Sequence, residues 1–265
     1  MPIFESHVPG SPCWVDFQST DVEAATKFYQ AVFYWQVEPQ FDDQGNQVYT
    51  MFKLNGANVC GGGAMPPGAQ GRPSTWNTYI RVLDVGKAAQ DVIEAGGTVA
   101  MPPMEVMDSG KMAVFLDPTG AAFCAWEPHK HQGAQICNEP NTWSWSEHLS
   151  DDPETATAFY GRLFGWTYDE QDMGPIGTYR VIEGGENGGW GGFMNMPPEV
   201  CGLAPNHWMV YFTVSNTDET IALVKDNGGT VLEDPMVVPG VGTIAVLADP
   251  TGAAFSTLQP ELPAD

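Results

Sequence analysis

A chain of 265 residues, 43% hydrophobic and 11% aromatic, has the length for two ordinary domains and the composition of a globular protein. Its 33 Asp and Glu against 10 Lys and Arg leave a formal net charge of −23, which disfavours nucleic acid and anionic membrane surfaces as partners. The N-terminal stretch lacks a basic start and an apolar core, and no apolar run nears the ~20 residues of a membrane span. The five cysteines show neither CxxC nor zinc spacing, so the expectation is a reduced cytoplasmic setting, with appearance outside cells without a signal peptide left open.

In chain order, residues 14–18 alternate as a strand, with Trp14, Asp16 and Gln18 on one face. Asp21 is the expected N-cap of a helix carrying Ala24, Ala25, Phe28, Tyr29 and Val32 at helical spacing. A strand over 48–54, an Asn55-Gly56 hairpin and a strand over 57–64 follow, and 66–73 reads as a Pro/Gly-rich connector. The order then recurs: strand 76–82, helix 85–95 stopped by Gly96-Gly97, strands 98–101 and 112–116, a turn at Asp117-Pro118-Thr119-Gly120, and strand 121–126. Residues 129–138 read as a linker, dividing the chain into domains 1–130 and 131–265.

The second half repeats the first. Phe28-Tyr29 returns as Phe159-Tyr160 and Met65-Pro66-Pro67 as Met196-Pro197-Pro198, each displaced by 131 positions. Gly96-Gly97-Thr98-Val99 returns as Gly228-Gly229-Thr230-Val231, and the heptapeptide from Asp117 to Phe123 returns unchanged from Asp249 to Phe255, displaced by 132. Each half is thus a β-α-β-β-β pattern written twice, giving an α+β chain of four such units.

The element order, the Asp21…Phe28-Tyr29…Phe33-Tyr34-Trp35 helix signature, the Gly96-Gly97 stop and the Asp117-to-Gly120 hairpin resemble the vicinal oxygen chelate superfamily. That group includes glyoxalase I, bleomycin-resistance proteins and extradiol dioxygenases; within it the chain is similar to tandem two-domain actinobacterial glyoxalase-like proteins. The resemblance covers residues from about 12 to 260 and occurs twice. It implies two tandem domains whose paired units curl into cup-shaped mixed sheets, each cup holding a small-molecule site. It also implies a divalent metal held by His, Gln or Glu on a unit's first strand and Glu on its last, acting as a Lewis acid.

The implied ligand positions fall on Trp14 and Trp145, on Cys124 and Ser256, and on Asn77 and Met209, while 60–63 and 188–193 hold no carboxylate. The usual His/Glu set is therefore absent, and cofactor and metal stay unassigned. Asp16 and Glu147, two residues beyond the tryptophans, read either as a general base or substrate anchor, or as structural carboxylates. Tyr79 and Tyr211 offer phenols to the cups or pack the core, and Trp14 and Trp145 form an aromatic wall or core. His207, where the first half has Thr75, is a candidate base in the second half alone; Gln18, Asn77 and Cys124 complete the candidate binding set. Cys124 lacks a basic neighbour and reads either as part of that set or as an inert buried thiol, His148 as an interface or surface residue, and the His129-x-His131 pair as solvated linker histidines rather than a metal site. The glycine runs 61–63 and 188–192 are not phosphate loops; they read as close backbone approach or as room for a ligand beside a sheet.

These residues point to a small-molecule protein, monomeric or homodimeric, with two unequal cups. One reading is a glyoxalase-like enzyme of the lyase or isomerase type, using Asp16 and Glu147 for acid–base chemistry on an oxygenated substrate. The other is a metal-free binding protein of the bleomycin-resistance type.

Overall fold

The computed structural model describes residues 3–66, 69, 71–174, 177–184, 189–198 and 200–261. Its first half runs β1 (Pro12–Ser19), α1 (Val22–Phe33), β2 (Gln36–Phe41), β3 (Gln47–Leu54), β4 (Ala57–Ala64), β5 (Thr75–Arg81), α2 (Val85–Glu94), β6 (Thr98–Val106), β7 (Gly110–Leu116) and β8 (Ala122–Pro128). The second repeats it as β9 (Trp143–Ser150), α3 (Pro153–Phe164), β10 (Tyr168–Asp172), β11 (Thr178–Ile182), β12 (Gly192–Asn195), β13 (His207–Thr213), α4 (Thr217–Asp226), β14 (Thr230–Val238), β15 (Gly242–Ala248) and β16 (Ala254–Pro260). This is βαβββ four times over. The two units of each half join through their first strands into one mixed eight-stranded sheet, ordered β2-β3-β4-β1-β5-β8-β7-β6 and β10-β11-β12-β9-β13-β16-β15-β14. Part of the 66–73 connector, and Gly188 of the second glycine run, lie outside the described residues.

The helices start where the sequence supplies a cap. Asp21, Asp84, Asp152 and Asn216 each accept a backbone N–H three residues on, at 2.9–3.1 Å. After α1 the chain turns at Tyr34 with φ 59°, where the second half places Gly165 with φ 72°. The tyrosine pays the left-handed penalty that glycine escapes.

Strand alternation then sorts the residues. On β1, Cys13, Val15 and Phe17 face the helices, with Phe17 packed on Tyr29, Phe52 and Trp76. Trp14, Asp16 and Gln18 face the other, inner side. The two sheets stack with their helix-bearing faces together, so each core is built from both halves. Phe28 and Phe33 of α1 pack on Phe212 and Phe255 of the second sheet, while Phe123 of the first packs on Phe159 and Tyr160 of α3. Each such fully buried ring contributes roughly 2 kcal/mol of transfer free energy.

The repeated heptapeptide explains itself at this interface. Asp117 Oδ1 accepts from its own turn, at Thr119 N, Thr119 Oγ1 and Ala121 N, and Asp249 does the same at Thr251 and Ala253. Asp117 Oδ2 reaches across to the other half, accepting from Tyr160 at 3.1 Å and from His148 Nε2 at 2.7 Å, both ends fully buried. Burial opposes ionisation of Asp117, but the His148 and Thr119 bonds hold its carboxyl below the usual range. His148 is therefore an interface residue. On the opposite latch Tyr29 faces Asp249, but Phe17 occupies the position of His148 and Asp249 Oδ2 has no hydrogen-bond partner among the described residues.

Two strands depart from the sequence expectation for one reason. Residues 36–41 form β2, and β6 continues to Val106 instead of ending at 101. Both are edge strands, where Pro39 and the Pro102-Pro103 pair interrupt no inner ladder; a register shift absorbs the pair between Met101 and Met104. The linker is strapped to the first sheet: Ala134 N donates to Cys13 O, Asn58 N to Gln135 Oε1, and Phe4 N to Gln135 O. Among the described residues no helix is long and apolar enough to cross a membrane.

Candidate functional site

On the inner face of the first sheet, β1 and β5 run antiparallel with Asp16 opposite Asn77 and Trp14 opposite Tyr79. Asp16, 4% exposed, accepts from Asn77 Nδ2 on Oδ1 at 2.8 Å and from Tyr49 and Tyr79 hydroxyls on Oδ2, both at 2.9 Å. Tyr49 in turn accepts from Trp14 Nε1 at 3.1 Å. Burial raises the Asp16 carboxyl to about 6, against the pull of its three donors. Gly61 lies beside Asp16 across the parallel β1–β4 pair, and a Cβ there would overlap the Tyr49 hydroxyl. Glycine at this point is what lets the phenol reach the carboxylate.

The second inner face repeats the frame. Glu147, 6% exposed, accepts from the Tyr211 hydroxyl at 2.6 Å and is flanked by Tyr179, which accepts from Trp145 Nε1 at 2.8 Å. Burial raises the Glu147 carboxyl above the usual range. Gly192 lies beside Glu147 and yields its Cβ space to the Tyr179 hydroxyl, matching Gly61.

The faces then diverge. Met209 stands opposite Glu147, so the amide that ties the second oxygen of Asp16 has no counterpart. Ser256 replaces Cys124 beside the tyrosine, and its buried hydroxyl has no hydrogen-bond partner among the described residues. Leu149, Met194, Met196, Met209, Ile244, Val246 and Leu258 line this face as one apolar cluster with Trp145 and Tyr211.

The other sequence candidates fall around these centres. Gln18 sits at the end of β1 opposite Thr75, partly exposed and away from the Asp16 bonds. Cys124 is buried beside Tyr79, and burial pushes its thiol well above the usual range. His207 lies two pairs further along from Glu147, opposite Leu149, and its Nδ1 donates to Pro205 O at 2.8 Å. His131 comes to the first face from the linker, edge-on to Trp14 at 4.4 Å and to Trp126 at 5.7 Å. Its Nε2 is buried without a hydrogen-bond partner among the described residues, and burial lowers its pKa to about 4. Tyr49 and Tyr179 were not among the sequence candidates, although each stands on the strand paired with a glycine run, at matching places in the repeat.

The donors present do not fit the metal set the fold implies. Each centre offers one carboxylate ringed by phenols, and among the described residues no three His, Cys, Asp or Glu side chains group together. What each centre can do is hold or move a proton at one carboxyl oxygen.

Comparison with known proteins agrees with the repeat. A model described as glyoxalase/bleomycin resistance protein/dioxygenase superfamily matches residues 13–125, and one described as a glyoxalase-like domain matches 148–258. A putative glyoxylase, CFP32 of Mycobacterium tuberculosis (strain CDC 1551 / Oshkosh), is 43% identical over 98% of each chain. The anthracycline biosynthesis protein DauV of Streptomyces sp. (strain C5) is 33% identical over 95% of this chain and 94% of that one. Among solved structures, the 2,3-dioxygenase LapB of Pseudomonas sp. KL28 superposes with a TM-score of 0.65 at 15% identity, covering 97% of this chain and 96% of LapB. The Mn(II)-bound glyoxalase of Novosphingobium aromaticivorans gives 0.61 at 16%, covering 95% and 83%; at these identities the likeness is one of fold. Two tandem family domains and a close full-length relative place this chain in the glyoxalase/bleomycin resistance protein/dioxygenase superfamily.

Proposed function

We propose that the chain is a glyoxalase-like enzyme of the lyase or isomerase type, moving a proton on a small oxygenated molecule held at an inner-face carboxylate. One observation carries this reading: a buried carboxyl with a raised pKa, ringed by phenols, stands at the same place in both halves. A carboxyl whose proton is held towards neutrality suits general acid–base work, and the tyrosines keep it oriented and share its charge. Asp16 and Glu147 are the candidate proton carriers, Tyr79 and Tyr211 their partners, and Trp14 and Trp145 the walls. Relatives named for anthracycline biosynthesis support an aromatic ligand.

A second reading, a metal-free binding protein of the bleomycin-resistance type, is favoured by Asp16, whose oxygens are already held by three donors. The charge of −23 and five free cysteines support a cytoplasmic protein acting on small molecules rather than nucleic acid.

Incubation with α-hydroxyketones and phenols in D2O separates the two, with NMR following C–H exchange. The enzyme reading expects exchange that is lost in Glu147→Gln or Asp16→Asn. Saturable binding without exchange would leave the binding reading standing.

A further inference from the structure

We infer that the two inner faces have divided their roles: the second takes a planar, largely apolar molecule carrying one hydroxyl or amine, while His131 closes the first. This rests on the small-molecule reading above and assigns it to one place.

The first face has little hydrogen-bonding capacity to spare at its centre. Asn77, Tyr49 and Tyr79 occupy both oxygens of Asp16. The flanking position holds Cys124, a poor hydrogen-bonding group. Trp14, 3% exposed, is covered by the His131 ring, which also lies against Trp126, while the Trp126 indole N–H donates to His131 O at 2.9 Å. The linker bonds at Cys13 and Asn58 hold that plug in place.

The second face is built the other way. Met209 withholds the amide, which leaves an oxygen of Glu147 for a ligand donor. Ser256, 0% exposed, presents a hydroxyl that nothing in the described residues satisfies, close to the carboxylate through their shared neighbour Tyr211. An unpaired buried hydroxyl is unfavourable, and a bound polar group would satisfy it. Trp145 is partly exposed where Trp14 is sealed. The surroundings are methionine and branched aliphatic side chains with one indole, which suit a flat hydrophobic body and adapt to its outline. A cleft of about 300 Å³, lined by Thr119, Asp151, Cys201 and Asn206, reaches Met196. Met196 also belongs to the inner cluster, so this flexible side chain borders both the cleft and the cluster.

The test is calorimetric titration of the full chain with 2-naphthol, with 2-methoxynaphthalene as the analogue that lacks the donor. One equivalent of 2-naphthol should bind, at least tenfold more tightly than the methyl ether. Ile244→Trp, which fills the second face, and Glu147→Leu should each weaken binding tenfold or more; Ser256→Ala gives a milder second probe should Glu147→Leu misfold. Met112→Trp fills the equivalent place in the first face and should change the affinity less than twofold. His131→Ala should raise the stoichiometry from one towards two. Two equivalents in the unmodified chain, or loss on Met112→Trp with none on Ile244→Trp, would overturn the division of roles while leaving an inner-face site intact. Binding insensitive to both tryptophans, or no binding at all, would overturn the inner-face reading itself.

Discussion

The two halves share what is hardest to build and differ in what finishes it. Each buries a carboxylate in an apolar face and stabilises it with two tyrosines, one crossing a glycine and tied to a tryptophan. The first half adds Asn77 and Cys124 around the acid; the second puts Met209 and Ser256 in those places. The interface shows the same relation, with His148 completing one aspartate latch and Phe17 leaving the other short of a partner among the described residues. A duplicated frame thus keeps the costly burial constant, and its two copies separate through the last one or two donors. On the proposed division of roles, the His131 plug and the fuller bonding of Asp16 keep a ligand from the first copy, and the sparser bonding of the second admits one.

The sharpest contrast should be in stability. Asp117→Asn breaks a fully buried contact to His148 and should cost about 3–5 kcal/mol in urea unfolding, while Asp249→Asn replaces an unpartnered oxygen and should cost under about 1 kcal/mol. Equal losses would mean that His148 does not distinguish the latches.

Next is pH. Folded protein holds the Asp16 proton to about 6, whereas the unfolded chain releases it near 3.8. Between these values the folded state binds more protons, so the Asp16 contribution falls as pH rises from about 4 to 6, by up to about 3 kcal/mol, and is flat above. Glu147 acts in the same direction. Stability measured across this window should show the fall, and Asp16→Asn should remove its share; an unchanged slope in the variant would place the titration elsewhere.

Gly61→Ala and Gly192→Ala test where the halves agree. Each puts a methyl into a tyrosine hydroxyl and should cost about 1–3 kcal/mol, similarly in both; a loss at only one would show that the frames are not equivalent. The smallest effect is expected from His131→Ala, which should make Trp14 fluorescence quenchable by acrylamide with less than about 1 kcal/mol lost, since the ring's Nε2 has no hydrogen-bond partner among the described residues.

Much of the frame was legible in the sequence. Strand periodicity put Trp14 with Asp16 and Trp145 with Glu147 on one face, and the repeat marked each pair as no accident. Proline masked the edge strands at 36–41 and 102–106, since strand propensity is set by inner-strand rules that an edge escapes. Tyr49 and Tyr179 were hidden because their role depends on register against the glycine strand, a relation between strands rather than within one. His131 was read as a solvated linker residue; only the linker's bonds back to the first sheet bring it onto Trp14.

The most direct check uses the methionines as reporters, since the faces carry different ones. With methyl-labelled methionine, 2-naphthol should shift the Met194, Met196 and Met209 resonances along one saturating curve and leave Met51 and Met112 in place. Met51 and Met112 moving on that same curve, or moving alone, would contradict the account.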